Sequence, residues 1–269
     1  MVIINNLSKS YENNKNKTAY VLDNIDLEIA DNEFVCILGK SGCGKSTLLN
    51  ILAGYLKADK GKIVVNGEDV VRPSKERGVV FQEHALFPWY TVIQNIAFGP
   101  LMSKKKNAYE IAEKYLKAIK LEQYKEYYPD QLSGGMKQRV GVARAFANAP
   151  DILLMDEPFS ALDSNTRTFM QSELLKIWET NKTTVVFITH SIEEAVTLAD
   201  RVVVMGGGKV LANTAIDLKR ERDPQNDRFL DYVAEFRDII DKNDEDNIIN
   251  RDKLQKKSRF SFFRKEAAV

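Results

Sequence analysis

Residues 39–47 constrain the fold of this chain more than any other stretch of its sequence. They read Gly-Lys-Ser-Gly-Cys-Gly-Lys-Ser-Thr, which fits the pattern G-x-x-x-x-G-K-[ST]. A continuously apolar run precedes them at Phe34–Leu38, and an apolar helical pattern follows at 48–53. A strand, a glycine-rich turn and a helix in this order are the context in which the pattern forms a phosphate-binding loop, or P-loop. The alternative, a glycine-rich turn that happens to contain a lysine, leaves the flanking strand and helix unexplained.

Each part of this loop has a physical reason to bind phosphate. Its glycines let the backbone curl so that successive N–H groups face one phosphate, and the N-terminus of the following helix adds a positive pole. We expect Lys45 to reach the β- and γ-phosphates of ATP, and the Ser46 hydroxyl to ligate Mg²⁺. The residues predicted to bind the nucleotide here are Gly39, Lys40, Ser41, Gly42, Cys43, Gly44, Lys45, Ser46 and Thr47.

An acidic pair follows a second apolar run of strand length. Asp156 and Glu157 come directly after residues 152–155, and the carboxyl ends of strands are where open α/β sheets bind ligands. We expect Asp156 to hold Mg²⁺, directly or through water, and Glu157 to orient or deprotonate the attacking water. Alone, an acid pair in this place is often only the end of a strand. Together with the P-loop it predicts hydrolysis of a nucleoside triphosphate.

The sequence 132–139, Leu-Ser-Gly-Gly-Met-Lys-Gln-Arg, resembles the signature sequence of the ATP-binding-cassette (ABC) ATPases. The resemblance runs from about residue 2 to about residue 211 and includes the motifs of that family in order. It implies that Ser133, Gly134 and Gly135 contact the γ-phosphate of a nucleotide held by the opposite copy of a head-to-tail dimer. Met136 departs from the commonest residue at its place, Gln, and resembles a branch of importers there.

The same resemblance implies roles for residues outside these motifs. Gln82 matches the glutamine that senses Mg²⁺ and the attacking water, and His190 matches the histidine that hydrogen-bonds the γ-phosphate. Asp163 matches the loop that couples the two ATP sites across the dimer, a role compatible with its also being a helix N-cap. Tyr11 resembles the aromatic residue that stacks on adenine, and Tyr20 is its rival.

The alternation of apolar strands and helical patterns predicts an α/β fold. We expect a three-layer P-loop NTPase core with a small antiparallel β part and an inserted helical subdomain at about 87–145. Residues 1–240 are predicted to form the ABC ATPase domain. Ser191 and Glu194 have the spacing of a capping box, which predicts that a helix begins directly after His190. An amphipathic helix is predicted at 227–240 with these residues inward: Phe229, Leu230, Val233, Phe236, Ile239 and Ile240.

The last residues, 241–269, are predicted to be a charged tail outside the folded domain. Residues 251–265 combine many Lys and Arg with three Phe. Two interpretations stay open: a segment that settles on an anionic membrane surface, or a solvated terminus.

Composition limits the partners and the location. A net charge of +1 argues against a protein held on nucleic acid by bulk positive charge. With only two cysteines a disulfide framework is excluded and a reducing compartment is favoured. Since no apolar run approaches the ~18–20 residues that cross a bilayer, we expect a soluble protein made in the cytoplasm, with any membrane role through a partner. The resemblance to the ABC transporter ATPases implies a peripheral position on the cytoplasmic face of the cell membrane.

Within the ABC family, residues 87–89 (Phe-Pro-Trp), Met136 and residues 155–163 most resemble the nitrate/sulfonate/taurine importers. That resemblance implies two copies that close around ATP, a separate permease, and an extracytoplasmic binding protein that delivers a small anion. Riboflavin- and pyrimidine-type uptake systems stay open. The apolar run 87–96 is interpreted as a permease-binding surface, or as residues packed under the helical subdomain.

The alternative function is a non-transport ABC ATPase that acts on nucleic acid or the ribosome. The chain has one P-loop and one signature sequence, which argues against the tandem-cassette translation factors. Lys45 and Ser133 are too close in sequence for a long coiled coil between them, which argues against the chromosome-maintenance relatives. No nucleic-acid partner is therefore expected.

Overall fold

The computed structural model describes residues 1–12, 18–82 and 85–243. Two short 3₁₀ helices, Glu122–Tyr124 and Pro129–Gln131, lie between the longer elements. The strands and helices follow one another as β1 (Val2–Glu12), β2 (Thr18–Ile29), β3 (Phe34–Leu38), α1 (Lys45–Ala53), β4 (Lys60–Val65), β5 (Glu68–Asp69), β6 (Arg77–Val80), α2 (Val92–Met102), α3 (Ala108–Ala118), α4 (Gly134–Ala147), β7 (Ile152–Asp156), α5 (Ser164–Asn181), β8 (Thr184–Thr189), α6 (Ile192–Leu198), β9 (Arg201–Gly206), β10 (Lys209–Ala215) and α7 (227–243).

The core is a six-stranded sheet in the order β10-β9-β3-β8-β7-β6. All neighbouring pairs are parallel except β10 with β9. Every residue of β3 and of β8 is buried, as expected of strands covered on both faces, and this is why their sequences are continuously apolar. Because β3, β7 and β8 are parallel neighbours, their carboxyl ends meet at one edge of the sheet.

A second, antiparallel sheet has the order β2-β1-β4-β5. Its buried side chains share a hydrophobic core with α1 and with one face of β3, where Val35 and Ile37 point. The other face of β3, with Phe34 and Cys36, packs in a core that also contains residues of α2 to α7. The two sheets and the helices thus confirm the predicted α/β class with its antiparallel β part.

Helices α2, α3 and α4 pack on one another, and α4 also contacts β6. The N-terminus of α2 is fixed by half of a capping box, in which the Thr91 N–H donates to Oε1 of Gln94 at 2.9 Å. Residues 87–145 hold α2, α3 and most of α4. The limits of a helical subdomain there stay a prediction.

The prediction for α7 is wrong at one position. Leu230 is 51% exposed, whereas Tyr232 is 5% exposed and belongs to the core. The helical period that starts at Phe229 continues at 232–233 and 236, which leaves Leu230 on the outer face. The Tyr232 hydroxyl accepts a hydrogen bond from the Asp217 N–H, 3.1 Å away, so its polar atom is satisfied inside.

The predicted charged tail can be compared with the structure only at its start. Residues 241–243 continue α7. Residues 244–269, with the basic and aromatic segment, lie outside the described residues, so that interpretation stays a prediction. None of the helices in the described ranges has the length and apolar character needed to cross a bilayer.

Candidate nucleotide site

The P-loop joins β3 to α1, and close backbone contacts require two of its glycines. Gly44 has φ 106°, and a Cβ there would lie 2.5 Å from the carbonyl oxygen of Val21. A Cβ on Gly39 would lie 2.3 Å from the carbonyl oxygen of Met205. Any side chain would clash at these positions, so the loop conformation depends on glycine.

Lys45 begins α1, and its side chain folds back over the loop. Its Nζ donates to the carbonyl oxygens of Gly39 at 2.7 Å and Lys40 at 3.1 Å, and lies 3.9 Å from Oε1 of Glu157. Only 4% of Lys45 is exposed. The ammonium is therefore held between the P-loop and the acid pair, where the charges of a polyphosphate would be neutralised.

Ser46 and Asp156 bring two oxygen ligands together. The Ser46 hydroxyl donates to Oδ1 of Asp156 at 3.2 Å. Burial raises the pKa of Asp156, and the negative charge of Glu157 adds to this, while the Ser46 hydrogen bond and Lys45 oppose it. In the described ranges no three His, Cys, Asp or Glu side chains form a metal cage. One carboxylate and one hydroxyl fit Mg²⁺, which usually takes few protein ligands and completes its shell with phosphate and water.

Glu157 and His190 are in direct contact. Oε2 of Glu157 lies 2.8 Å from Nδ1 of His190. Glu157 has φ 44°, a left-handed conformation that costs free energy in a non-glycine residue. Its N–H donates to the carbonyl oxygen of Ile188 and its own carbonyl accepts from the Ser160 hydroxyl. These bonds hold the strained residue beside the end of β8, where the histidine is.

Two of the cavities that the described residues form border the P-loop. The first has a volume of about 290 Å³ and is lined by Val21, Ser41, Gly42, Gly44, Lys45, Ser46, Thr47, Gln82 and Glu157. Five P-loop residues with small or hydroxyl side chains, Lys45 and Gln82 are the predicted nucleotide or Mg²⁺ residues that line it, and Glu157 lies beside them. The second, about 440 Å³, is lined by Tyr20, Val21, Lys40, Ser41, Gly42, Cys43, Met205, Gly206, Gly207, Gly208, Leu211, Ile240 and Asn243. Lys40 and Cys43 therefore face this second cavity.

The two candidates for adenine stacking lie close together on paired strands. Tyr11 pairs with Ala19 and Ser10 pairs with Tyr20 across β1 and β2. Tyr20 lines the second cavity. Tyr11 is 47% exposed, with Nζ of Lys9 5.7 Å from its ring centroid, and within the described residues it lines neither cavity. The structure thus favours Tyr20 over Tyr11 as the aromatic residue beside the P-loop.

The signature residues and Asp163 lie apart from the first cavity, and none of them is among its lining residues in the part of the chain that is described. Ser133 is the N-cap of α4, where its hydroxyl accepts from the Met136 N–H at 3.3 Å. Asp163 is the N-cap of α5. Its carboxylate accepts a hydrogen bond from the Thr166 N–H, and this bond lowers the pKa of Asp163. Gly134 and Gly135 form the first turn of α4. A Cβ on Gly135 would come within 3.3 Å of the Leu162 side chain, so this turn packs against the loop before α5.

The capping box predicted after His190 forms only in part. Ser191 is the N-cap of α6, and its hydroxyl accepts from the Glu194 N–H at 3.2 Å. In a full capping box the Ser191 N–H would donate to the Glu194 carboxylate. Here it donates to Oγ1 of Thr189 instead, at 3.0 Å. The Glu194 carboxylate turns inward. A capping box is predicted from a local spacing, whereas Glu194 bonds Thr189 in the preceding strand and Gln171 on another helix.

A P-loop, a strand-end acid pair and a histidine in contact with one of these acids define a P-loop nucleotide hydrolase. Residues 22–160 match the family described as ABC transporter. The chain is 48% identical to an uncharacterized ABC transporter ATP-binding protein of Methanocaldococcus jannaschii, over 88% of this chain and 90% of that one. The chain therefore belongs to the ABC transporter family and is an ATPase, which confirms the resemblance seen in the signature sequence.

Two further relatives are informative. The chain is 46% identical to the aliphatic sulfonates import ATP-binding protein SsuB of Bacillus cereus, over 78% of this chain and 83% of that one. Among solved structures, it resembles the dimeric ATP-binding cassette MJ0796 bound to ADP and Pi with a TM-score of 0.72 and 34% identity, over 81% of this chain and all of that one.

Proposed function

We propose that this chain is the ATP-hydrolysing subunit of an importer, and that two copies close around ATP to drive a separate permease. The observation that carries the proposal is the separation of two phosphate-binding elements within one copy. The P-loop cavity contains Lys45 and Glu157, whereas Ser133 opens a helix elsewhere on the surface. A second copy can supply the missing helix N-terminus, and the similar cassette MJ0796 is dimeric.

The residues of the P-loop cavity support hydrolysis by an attacking water. Lys45 neutralises the β- and γ-phosphates, and Glu157 accepts a proton from the water. His190, in contact with Glu157, orients it and reaches the γ-phosphate. Ser46 and Asp156, with Gln82, would hold Mg²⁺, which supplies charge neutralisation at the phosphates when bound. Loss of the γ-phosphate removes the group that both copies bind, so the dimer opens and the permease changes its facing.

The permease surface is proposed to be an aromatic cluster at the start of α2, formed by Phe87, Trp89, Tyr90 and Phe98. Phe87 is the packed member, with its ring centroid 4.6 Å from that of Phe98 and 5.7 Å from that of Tyr90. Trp89 is 66% exposed. Phe87 thus supports the interpretation that the run 87–96 packs inside the protein, whereas Trp89 supports the interpretation that it binds the permease. An exposed tryptophan on a packed aromatic base is typical of the centre of a protein interface.

Replacing Trp89 by Ala is expected to weaken permease binding by about tenfold or more, since it removes a large contact residue at an interface. Co-purification of the variant with the affinity-tagged permease measures this. Its affinity for ATP should stay unchanged, because Trp89 does not line the P-loop cavity within the described residues. The matched control is Tyr109→Ala, which removes an exposed aromatic (48%) from α3. Equal recovery of permease with all three proteins would reject the aromatic cluster as the docking surface.

We propose that the transported solute is a small sulfonate-type anion, delivered by an extracytoplasmic binding protein. The SsuB relative at 46% identity, which is described as importing aliphatic sulfonates, supports this class. The residues at 87–89 and at 136 agree with that branch. With ATP available inside the cell, the ATPase would work on the cytoplasmic face of the membrane.

Deletion of the gene is expected to abolish growth on an aliphatic sulfonate as the only sulfur source while growth on sulfate stays normal. Complementation with the wild-type gene should restore growth, and complementation with the Lys45→Ala gene should not. Normal growth of the deletion strain on the sulfonate would reject the substrate class. The role as a transporter subunit would still be tested by the permease experiment.

A further inference from the structure

Glu194 is a buried acid that the proposed hydrolysis does not use. It lies in the first turn of α6 and is 6% exposed. Both of its carboxylate oxygens accept hydrogen bonds: Oε2 from the Thr189 hydroxyl at 2.5 Å and Oε1 from the Gln171 amide at 3.1 Å. A carboxylate is costly to bury unless it is bonded in this way. Burial raises the pKa of Glu194, while the hydrogen bonds and the charge of Arg167 oppose the rise.

These bonds fix the backbone on both sides of His190. Thr189 is the last residue of β8 and is 2% exposed. Its hydroxyl donates to Glu194 and accepts from the Ser191 N–H at 3.0 Å. Ser191 is fixed again when its hydroxyl accepts from the Glu194 N–H. The residues on either side of His190 are therefore both fixed. Thr189 bonds the Glu194 carboxylate, and Ser191 bonds both Thr189 and the Glu194 N–H.

The same carboxylate connects this turn to α5. Gln171 lies two turns inside α5, whose N-cap is Asp163. Nη2 of Arg167 donates to the Leu162 carbonyl at 2.9 Å, and its charge acts on Glu194. Helix α5 is thus bonded through Gln171 to the element that carries His190, and Arg167 bonds the loop before α5 to that helix.

We infer that Glu194 is a positioning residue. It holds the 189–191 turn at a fixed place relative to α5, so that the imidazole of His190 faces Glu157. The inference rests on the proposed role of His190 in hydrolysis. It predicts that loss of Glu194 lowers catalysis through His190 and leaves the P-loop intact. The local spacing of Ser191 and Glu194 predicted a capping box, and it is the inward carboxylate that has this second role.

The direct test is the NMR signal of the His190 ring. The chain has two histidines, and a His190→Ala variant assigns the ring signals. Replacing Glu157 by Gln should shift the His190 signal, because the two side chains are in contact. Glu194→Leu should shift it as well, and adding Glu157→Gln to Glu194→Leu should then have little further effect. This measurement does not depend on residual ATPase activity.

Kinetics separate positioning from general destabilisation. Glu194→Leu is expected to lower kcat for ATP hydrolysis about tenfold or more and to change the affinity for a non-hydrolysed ATP analogue less than twofold. Glu194→Gln should keep most of the activity, because its amide oxygen can still accept from Thr189. The matched control is Glu173→Leu on α5. That residue is a buried acid (8% exposed) bonded to Lys176, and its loss should leave the His190 signal unchanged.

Thr189→Val provides a second variant if Glu194→Leu does not fold. It keeps the shape of the side chain, removes the hydroxyl between Glu194 and Ser191, and should shift the His190 signal in the same direction. Unchanged His190 signals in folded Glu194→Leu or Thr189→Val protein would overturn the inference. If instead His190→Ala keeps full kcat, the proposed role of His190 in hydrolysis fails. The His190 ring signals of the wild type and of the Glu194 and Thr189 variants would still show whether Glu194 positions the ring.

Discussion

Replacing Glu157 by Gln is expected to lower kcat for ATP hydrolysis by about 10²–10⁴-fold, the range lost with a general base. Gln keeps the shape of Glu157 and can stay beside His190, 2.8 Å away in the wild type, so the surrounding turn should keep its conformation. What is lost is the proton acceptor for the attacking water. A steady-state assay of phosphate release measures the change.

The same substitution should make ATP binding and dimerisation easier to observe. Glu157 places a negative charge in the cavity that is proposed to receive the γ-phosphate, with Oε1 3.9 Å from Nζ of Lys45. Removing this charge reduces repulsion of the nucleotide and leaves the lysine free to pair with phosphate. Light scattering in the presence of ATP is expected to show an ATP-bound dimer that accumulates because it cannot hydrolyse.

The control for Glu157→Gln is Glu193→Gln, which removes an exposed acid from the first turn of α6. Glu193 pairs weakly with Arg237, at 3.7 Å. The control should keep wild-type hydrolysis and should accumulate no dimer. Normal hydrolysis by Glu157→Gln itself would remove Glu157 from the catalytic role.

The predictable part of the site follows short, local patterns. The P-loop, the acid pair and His190 each come directly after an apolar strand, and parallel neighbouring strands end at one edge of a sheet. A sequence pattern that finds each strand therefore also finds the residue at its end. Their meeting in space required only the correct fold class, which the alternation of strands and helices supplied.

The parts that were missed depend on contacts between residues far apart in sequence. The Glu194 carboxylate turns inward to bond Thr189 at the end of β8 and Gln171 on another helix, and a local capping pattern contains neither contact. The amphipathic pattern of α7 predicts Leu230 inside, but Tyr232 fits the helical period better and has a bonded hydroxyl. Tyr11 and Tyr20 could not be separated because their places depend on the pairing of β1 with β2, which contains several register shifts.

Replacing Lys45 by Ala is expected to weaken ATP binding about a hundredfold, since hydrogen bonds to charged groups contribute about 1.5–3 kcal/mol and each 1.4 kcal/mol is a factor of ten. The substitution removes the only side-chain cation among the residues that line the first cavity in the described part of the chain. It also removes the ammonium donor from the carbonyl oxygens of Gly39 and Lys40, of which the second keeps a longer bond from the Cys43 N–H at 3.4 Å. These oxygens would then repel the phosphates that the loop is proposed to bind.

Titration with a fluorescent ATP analogue in the presence of Mg²⁺ measures the loss. The matched control is Lys125→Ala, since Lys125 pairs with Glu113 outside the P-loop and its removal should change the affinity less than twofold. Thermal unfolding of both variants separates lost binding from lost folding, because the loss of the Lys45 hydrogen bonds to the two carbonyls costs Lys45→Ala some stability by itself. A folded Lys45→Ala protein with wild-type affinity would contradict the phosphate-binding role of the loop, because the buried ammonium would then serve only its contacts inside the protein, with the Gly39 and Lys40 carbonyls and with Glu157.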